Sequence, residues 1–187
     1  MSRRLTCRPS GKLAALVARL RADRAGTATI EFGMVVSVML MVMLNGVEVA
    51  RFYYSKMEVQ NAVQMAGQAV WKLCDSTSKT PTSSNCTNRD TKITTALQST
   101  SLGNAVTLAS GYPTEGYYCI NSTSGVLQSA GSTKPADCSG YGGTAAQQAG
   151  YYVTIQAQYT YAPIFSTITV GGSLPTTVTA QTVTRLL

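Results

Sequence analysis

Apolar residues are gathered in two ways along this chain. Residues 32–47 read Phe-Gly-Met-Val-Val-Ser-Val-Met-Leu-Met-Val-Met-Leu-Asn-Gly-Val without a charge, and extending back to Thr27 gives 21 residues broken by one acid, Glu31. At the standard helical rise, that length spans the roughly 30 Å hydrocarbon core of a bilayer. After the uninterrupted run, a three- and four-residue rhythm takes over. Val49, Phe52, Lys56, Val59, Val63, Ala66, Val70 and Leu73 fall on one stripe with one polar exception, while Glu48, Ser55, Glu58, Asn61, Gln64 and Gln68 fall on other faces. No proline interrupts residues 27–73. The pattern predicts one helix, membrane-spanning over residues 27–48 and amphipathic over residues 49–73.

Beyond Leu73 the texture changes to Ser, Thr, Asn, Gly and Tyr. Residues 76–90 read as a loop, residues 92–102 as a short helix, and the stretch around Gly140, Tyr141, Gly142 and Gly143 as a turn. The clearest strand covers residues 152–161, where Val153, Ile155, Ala157, Tyr159 and Tyr161 alternate with Thr154, Gln156, Gln158 and Thr160 before Pro163 ends it. A Thr- and Val-rich segment, residues 176–185, is expected to pair antiparallel with it. The expected class is therefore α+β, with a long amino-terminal helix followed by a small antiparallel β-rich domain over residues 74–187.

Charge divides the chain differently. Most of the net charge of +7 gathers in residues 1–26, which hold seven basic residues against one acid. The remainder is close to neutral, which argues against nucleic-acid binding by the main domain, since that needs a clustered positive face. A basic stretch before an apolar run puts residues 1–26 in the cytoplasm and the carboxyl-terminal domain outside, by the positive-inside rule. The rival, a secretory signal peptide, fits less well, because the basic region is long and no small-x-small cleavage pair follows the apolar run. Cys7 has no apolar run before it, so a lipoprotein anchor is not indicated. A basic amphipathic helix within residues 12–24, resting on anionic lipid, is compatible with this arrangement. Histidine is absent, which removes the commonest general base and the commonest metal ligand. The acids outside the membrane run, Glu58, Asp75, Asp90, Glu115 and Asp137, share no motif. No catalytic residue, metal site or cofactor is expected, and the chain is not expected to be an enzyme.

Glu31 is out of place in an ordinary anchor, because a carboxylate within the apolar region costs up to about 2.5–3.5 kcal/mol depending on depth. The surrounding residues, Ala25-Gly26-Thr27-Ala28-Thr29-Ile30-Glu31-Phe32, resemble the prepilin-peptidase site of type IV pilins. The resemblance implies cleavage between Gly26 and Thr27, making residues 1–26 a leader peptide and Glu31 the fifth residue of the mature chain. A new amine on Thr27 would be positive at neutral pH and would lie on the same helix face as Glu31, four residues on. In that family the glutamate neutralises the amine of an adjacent subunit during assembly. The bland alternative is a chance Gly-x4-Glu in which Glu31 snorkels to the headgroups.

Further along, Glu48 and Arg51 sit three apart at the expected membrane exit beside Phe52, Tyr53 and Tyr54. Ordinary boundary anchoring is the plainer role for this pair, a contact between subunits the sharper one. Glu-x-x-Arg followed by aromatics resembles the tight-adherence (Tad) pseudopilins called TadE-like, as do Asn61-Ala62, the Tyr159-x-Tyr161-x-Pro163 ending and the last strand. The basic residue often found after Asn61-Ala62 in that family is replaced here by polar and apolar residues. The resemblance implies a minor pilin or pseudopilin in the bacterial inner membrane. Its implied partners are a prepilin peptidase, other pilins, an inner-membrane assembly platform and membrane lipid.

Four cysteines, Cys74, Cys86, Cys119 and Cys138, fall where oxidation is permitted. Sequence order favours Cys74 with Cys86 and Cys119 with Cys138, although four cysteines allow three pairings. Zinc is the rival use, supported neither by C-x-x-C spacing nor by histidine. The sequons at Asn85 and Asn121 carry little weight in a bacterial chain, and Gly140, Gly142 and Gly143 lack the context of a phosphate cradle. A membrane-tethered binding or adhesion protein that does not polymerise is the competing function, distinguished by whether Glu31 matters.

Overall fold

The computed structural model describes residues 25–164 and 174–187, together with Ala15 and Arg19. The basic stretch expected to be a leader, residues 1–26, therefore lies almost wholly outside the described residues. The chain divides into two units, one ending at Gly46 and the other running from Val47 to Leu187.

Helix α1, Ala25–Leu73, contributes to both units. Its first part carries apolar side chains on every face. Phe32, Val42 and Met43 are each 67% exposed or more, and Val35, Val38 and Met39 are exposed as well. A single helix cannot bury such residues on itself, so they need lipid or other helices to leave water. One stretch, within Gly26–Leu73, is long and apolar enough to cross a membrane, which makes it a candidate anchor.

From Val47 onward, α1 packs on an antiparallel sheet. The elements after it are a 3-10 turn at Thr77–Lys79, α2 (Thr82–Asn85), α3 (Arg89–Leu97) and a second 3-10 turn at Gly103–Ala105. They are followed by β1 (Val106–Leu108), β2 (Thr114–Ile120), β3 (Leu127–Gly131), a third 3-10 turn at Ser139–Tyr141, β4 (Gly150–Thr160) and β5 (Thr177–Arg185). The class is α+β, as the patterning predicts. Strand β4 is central: β5 pairs with it from Tyr152↔Arg185 to Thr160↔Thr177, while β1 and β2 share its other edge and β3 pairs with β2. The antiparallel pairing expected for residues 176–185 is present.

The core lies between α1, α3 and one face of β4. Val59, Ala62, Val63, Ala66 and Val70 from α1 meet Ile93 and Leu97 from α3 and the alternate residues Tyr151, Val153, Ile155 and Ala157 of β4. Period-2 alternation puts these β4 side chains on one face. The buried stripe of α1 is not quite the one the apolar pattern predicts. Glu48, Ser55 and Val59 are buried and Phe52 half-buried, whereas Val49 and Lys56 are exposed. Two polar residues occupy the buried face near its start, and the apolar rhythm alone points one residue away from them. Gly67 marks a close approach of α1 to β5, since a Cβ there would meet Thr184 Oγ1 at 2.6 Å and Thr182 Cγ2 at 3.2 Å.

The loop expected over residues 76–90 holds two short helical turns instead, and the expected helix at residues 92–102 is replaced by α3, ending at Leu97. The first correction has a visible cause. Glu115 on β2 accepts the backbone N–H groups of Thr82 (2.9 Å) and Ser83 (3.1 Å), satisfying first-turn donors of α2 from 33 and 32 residues away. The turn expected around residues 140–143 is present, with Gly142 at a positive φ of 75°. Strands β1, β2 and β3 were not anticipated. Cys74 bonds to Cys86 and Cys119 to Cys138, with Cα separations of 5.8 and 5.6 Å, which resolves the three pairings the cysteine count allows.

Candidate functional site

Two sites stand on α1, one in each unit. The first comprises Gly26, Thr27 and Glu31, all exposed in the opening turns of the helix. Glycine disfavours a helix by about 1 kcal/mol relative to alanine, so Gly26 needs a reason. Nothing in the fold supplies one: among the described residues, a Cβ at Gly26 would meet no atom within 4 Å, and its φ is not positive. Thr27 and Glu31, four residues apart, share one helix face.

The second site is built around Glu48. It lies one turn before Phe52 and two before Ser55, on the buried face of α1, and it is 1% exposed. Tyr161, just past the end of β4, donates its hydroxyl to Glu48 Oε1 at 2.5 Å and lies 3.2 Å from the Glu48 backbone carbonyl. The backbone N–H of Ile164 is 3.2 Å from both carboxylate oxygens. Arg51 stands at 3.9 Å, a looser partner that is 45% exposed, and its guanidinium lies 6.0 Å from the centre of the Tyr161 ring. Phe52 meets the same ring edge-on, with centroids 5.4 Å apart. Ser55 Oγ donates to the Arg51 carbonyl at 3.0 Å.

Within the domain this geometry gives the pair a further role. Glu48 is a buried carboxylate that fastens the end of β4 to α1, with Arg51 at its rim. Burial, with the hydrogen bond to Glu48 second, pushes the Tyr161 hydroxyl up to about 12. In the sequence Tyr161 stands out only as the last alternate residue of a strand and as part of the Tyr-x-Tyr-x-Pro ending. The signal that would have found its partner is the charged residue recurring at 3.6-residue spacing with Phe52, Ser55 and Val59.

Outside these two sites, each acid among the described residues has a partner. Glu58 accepts from Ser101 (2.8 Å), Asp75 from Lys79 (3.2 Å), Asp90 from Arg89 (2.8 Å) and Asp137 from Ser139 (2.6 Å). Glu115 takes the Thr82 hydroxyl as well as the two N–H groups, and Arg89 stands 3.4 Å away. Burial works to raise the Glu115 carboxyl, but the donors from Ser83 and Thr82 outweigh it and hold it below its usual range. Among the described residues, no group of three or more Cys, Asp or Glu side chains is placed to hold a metal ion.

Comparison with known proteins adds one match. The family described as TadE-like protein matches residues 26–68, beginning at Gly26 and taking in Thr27, Glu31, Glu48 and Arg51. Neither the curated proteins nor the solved structures compared with the chain provide a match. Over residues 26–68, the stretch that carries both sites, this chain is therefore similar to the TadE-like family.

Proposed function

We propose that this protein is a minor pilin or pseudopilin required for assembly of a type IVb-like tight-adherence pilus. In this reading a prepilin peptidase removes residues 1–26, and the helix from Thr27 stays in the bacterial inner membrane with the sheet domain outside. Glu31 pairs with the new amine of an adjacent pilin at the assembly platform. Its role is structural, not catalytic. The observation that carries the reading is that the TadE-like match starts at Gly26, a glycine the fold itself does not require, five residues before a carboxylate at the edge of an exposed apolar helix. The cost of Glu31 in lipid then has a use, because a charge that is expensive alone becomes favourable once it is paired.

The test is mass spectrometry of the membrane-embedded or assembled chain together with Glu31→Ala. The expected mature amino terminus is Thr27, and Glu31→Ala is expected to be cut normally but to lower pilus assembly at least tenfold. A mature chain that keeps its first 26 residues, or a Glu31→Ala strain with normal piliation, overturns the reading and favours a simple membrane tether.

A further inference from the structure

A groove of about 480 Å³ runs between α1 and β5 in the unit that begins at Val47. Its helical wall is Gln64, Gln68 and Trp71, spaced four and three apart and so on one face. Its strand wall includes Thr182 and Thr184, two apart and so also on one face, with Arg185 at one end. Gly67 is the floor, where any larger residue would run into the two threonines.

The chemistry of this lining is specific. Trp71 is the chain's sole tryptophan and is 52% exposed, although an indole on a soluble face is normally spent on packing. Around it converge two carboxamides and two hydroxyls, while the Arg185 side chain, on the other face of β5, donates its Nε–H to the Leu187 carbonyl at 2.6 Å. Among the described residues, the side chains of Gln64, Gln68, Thr182 and Thr184 make no hydrogen bond to another residue. A flat aromatic face ringed by groups that donate and accept at once suits a pyranose ring, which has an apolar C–H face and a rim of hydroxyls. An apolar peptide or lipid would leave those carboxamides and hydroxyls unsatisfied. An added β-strand would use the backbone of β5 and leave the helical carboxamides idle.

We propose that this groove binds a β-1,4-linked glycan chain, with one pyranose ring stacked on Trp71 and its neighbour held by Gln64, Gln68 and the two threonines. The open, shallow form of the groove suits a flat ribbon of sugars rather than a single enclosed ring. The site is independent of Glu31 and of the helix start, so it does not stand or fall with pilus assembly.

Because Trp71 is the sole tryptophan, its fluorescence reports on the groove directly. The full chain in lipid nanodiscs is titrated with chitotetraose, which carries acetamido groups, and with cellotetraose, which does not; the stronger of the two identifies an amino-sugar or a plain glucan source. A saturable blue shift is expected with at least one of them at or below about 10 mM. By calorimetry, Trp71→Ala is expected to weaken binding about tenfold or more, Gln68→Ala about threefold or more, and Trp71→Phe less than Trp71→Ala. Both altered residues are exposed, and circular dichroism checks that each variant is folded. No saturable shift with either sugar overturns the proposal, as does affinity unchanged in Trp71→Ala. A nine-residue Thr/Val peptide that shifts Trp71 emission when the sugars do not would assign the groove to strand addition and overturn it too.

Discussion

A carboxylate that is 1% exposed keeps its place only if donors replace the water it has lost, and Glu48 has Tyr161, the Ile164 N–H and, at the rim, Arg51. The Tyr161 hydroxyl is the closest of these, so Tyr161→Phe should leave the ring packing intact and strip the carboxylate of its best donor. We expect a loss of about 1.5–3 kcal/mol, the range for a hydrogen bond to a charged group, read by denaturant unfolding of the domain in detergent. The same residue sets an alkaline limit. Tyr161 is raised from its ordinary 10.0 to about 12 and donates only while neutral, so its contribution is complete below pH 10 and is lost as pH rises through about 12. The stability gap between the natural chain and Tyr161→Phe should therefore narrow between pH 10 and 12. A gap that is absent at pH 8, or constant through pH 12, would show that the hydroxyl does not hold Glu48.

At the level of elements, Glu115 decides whether residues 74–88 are a loop or a structured clasp. It reaches from β2 to the start of α2 and touches Arg89, joining three elements at one carboxylate. Its carboxyl is held below the usual range, so the stability it confers is present above its ordinary 4.5 and is lost as pH falls through the lower folded value. Glu115→Gln should cost about 1.5–3 kcal/mol at neutral pH, and the variant should unfold with a weaker dependence on pH below 4.5 than the parent. Equal acid sensitivity in the two would place the titrating group elsewhere. The same clasp shows why some elements were legible in the sequence and others were not. Strand β4 announces itself through five apolar or aromatic residues at alternate positions, β5 through its Thr/Val content, and α1 through a long unbroken pattern, because each signal is local. Helix α2 depends on a partner 33 residues away, and β1, β2 and β3 are short segments rich in Thr, Gly and Tyr that acquire their conformation by pairing. The candidate sites divide the same way: Gly26, Thr27 and Glu31 lie in one short stretch whose resemblance to a pilin processing site is local, whereas Glu48 meets Tyr161 across 113 residues.

Across the whole molecule, the uneven charge, the bare helix and the two disulfides describe a chain whose parts are stabilised by different means. The first part of α1 finds no core within its own unit, while the sheet domain has one modest core between α1, α3 and β4 and a satellite cluster at Cys119, Cys138 and Ala149. Each disulfide closes a short loop, of sequence separation 12 and 19, and on loop entropy alone each is worth about 3 kcal/mol. Their surroundings should separate them. Cys74 and Cys86 are buried in the main core beside Val70, and they join the end of α1 to the clasp at Glu115, so their loss propagates. Cys119 and Cys138 tie β2 to the segment before β4 within the small cluster, so their loss stays local. Cys74→Ser/Cys86→Ser should therefore lower the global unfolding midpoint more than Cys119→Ser/Cys138→Ser. The second variant should instead show faster amide exchange confined to about residues 120–148, where opening can occur below the global free energy. Uniform exchange across the domain in the second variant, or a larger fall in midpoint than in the first, would mean that the satellite cluster and not the helix-bearing core sets the stability of this domain.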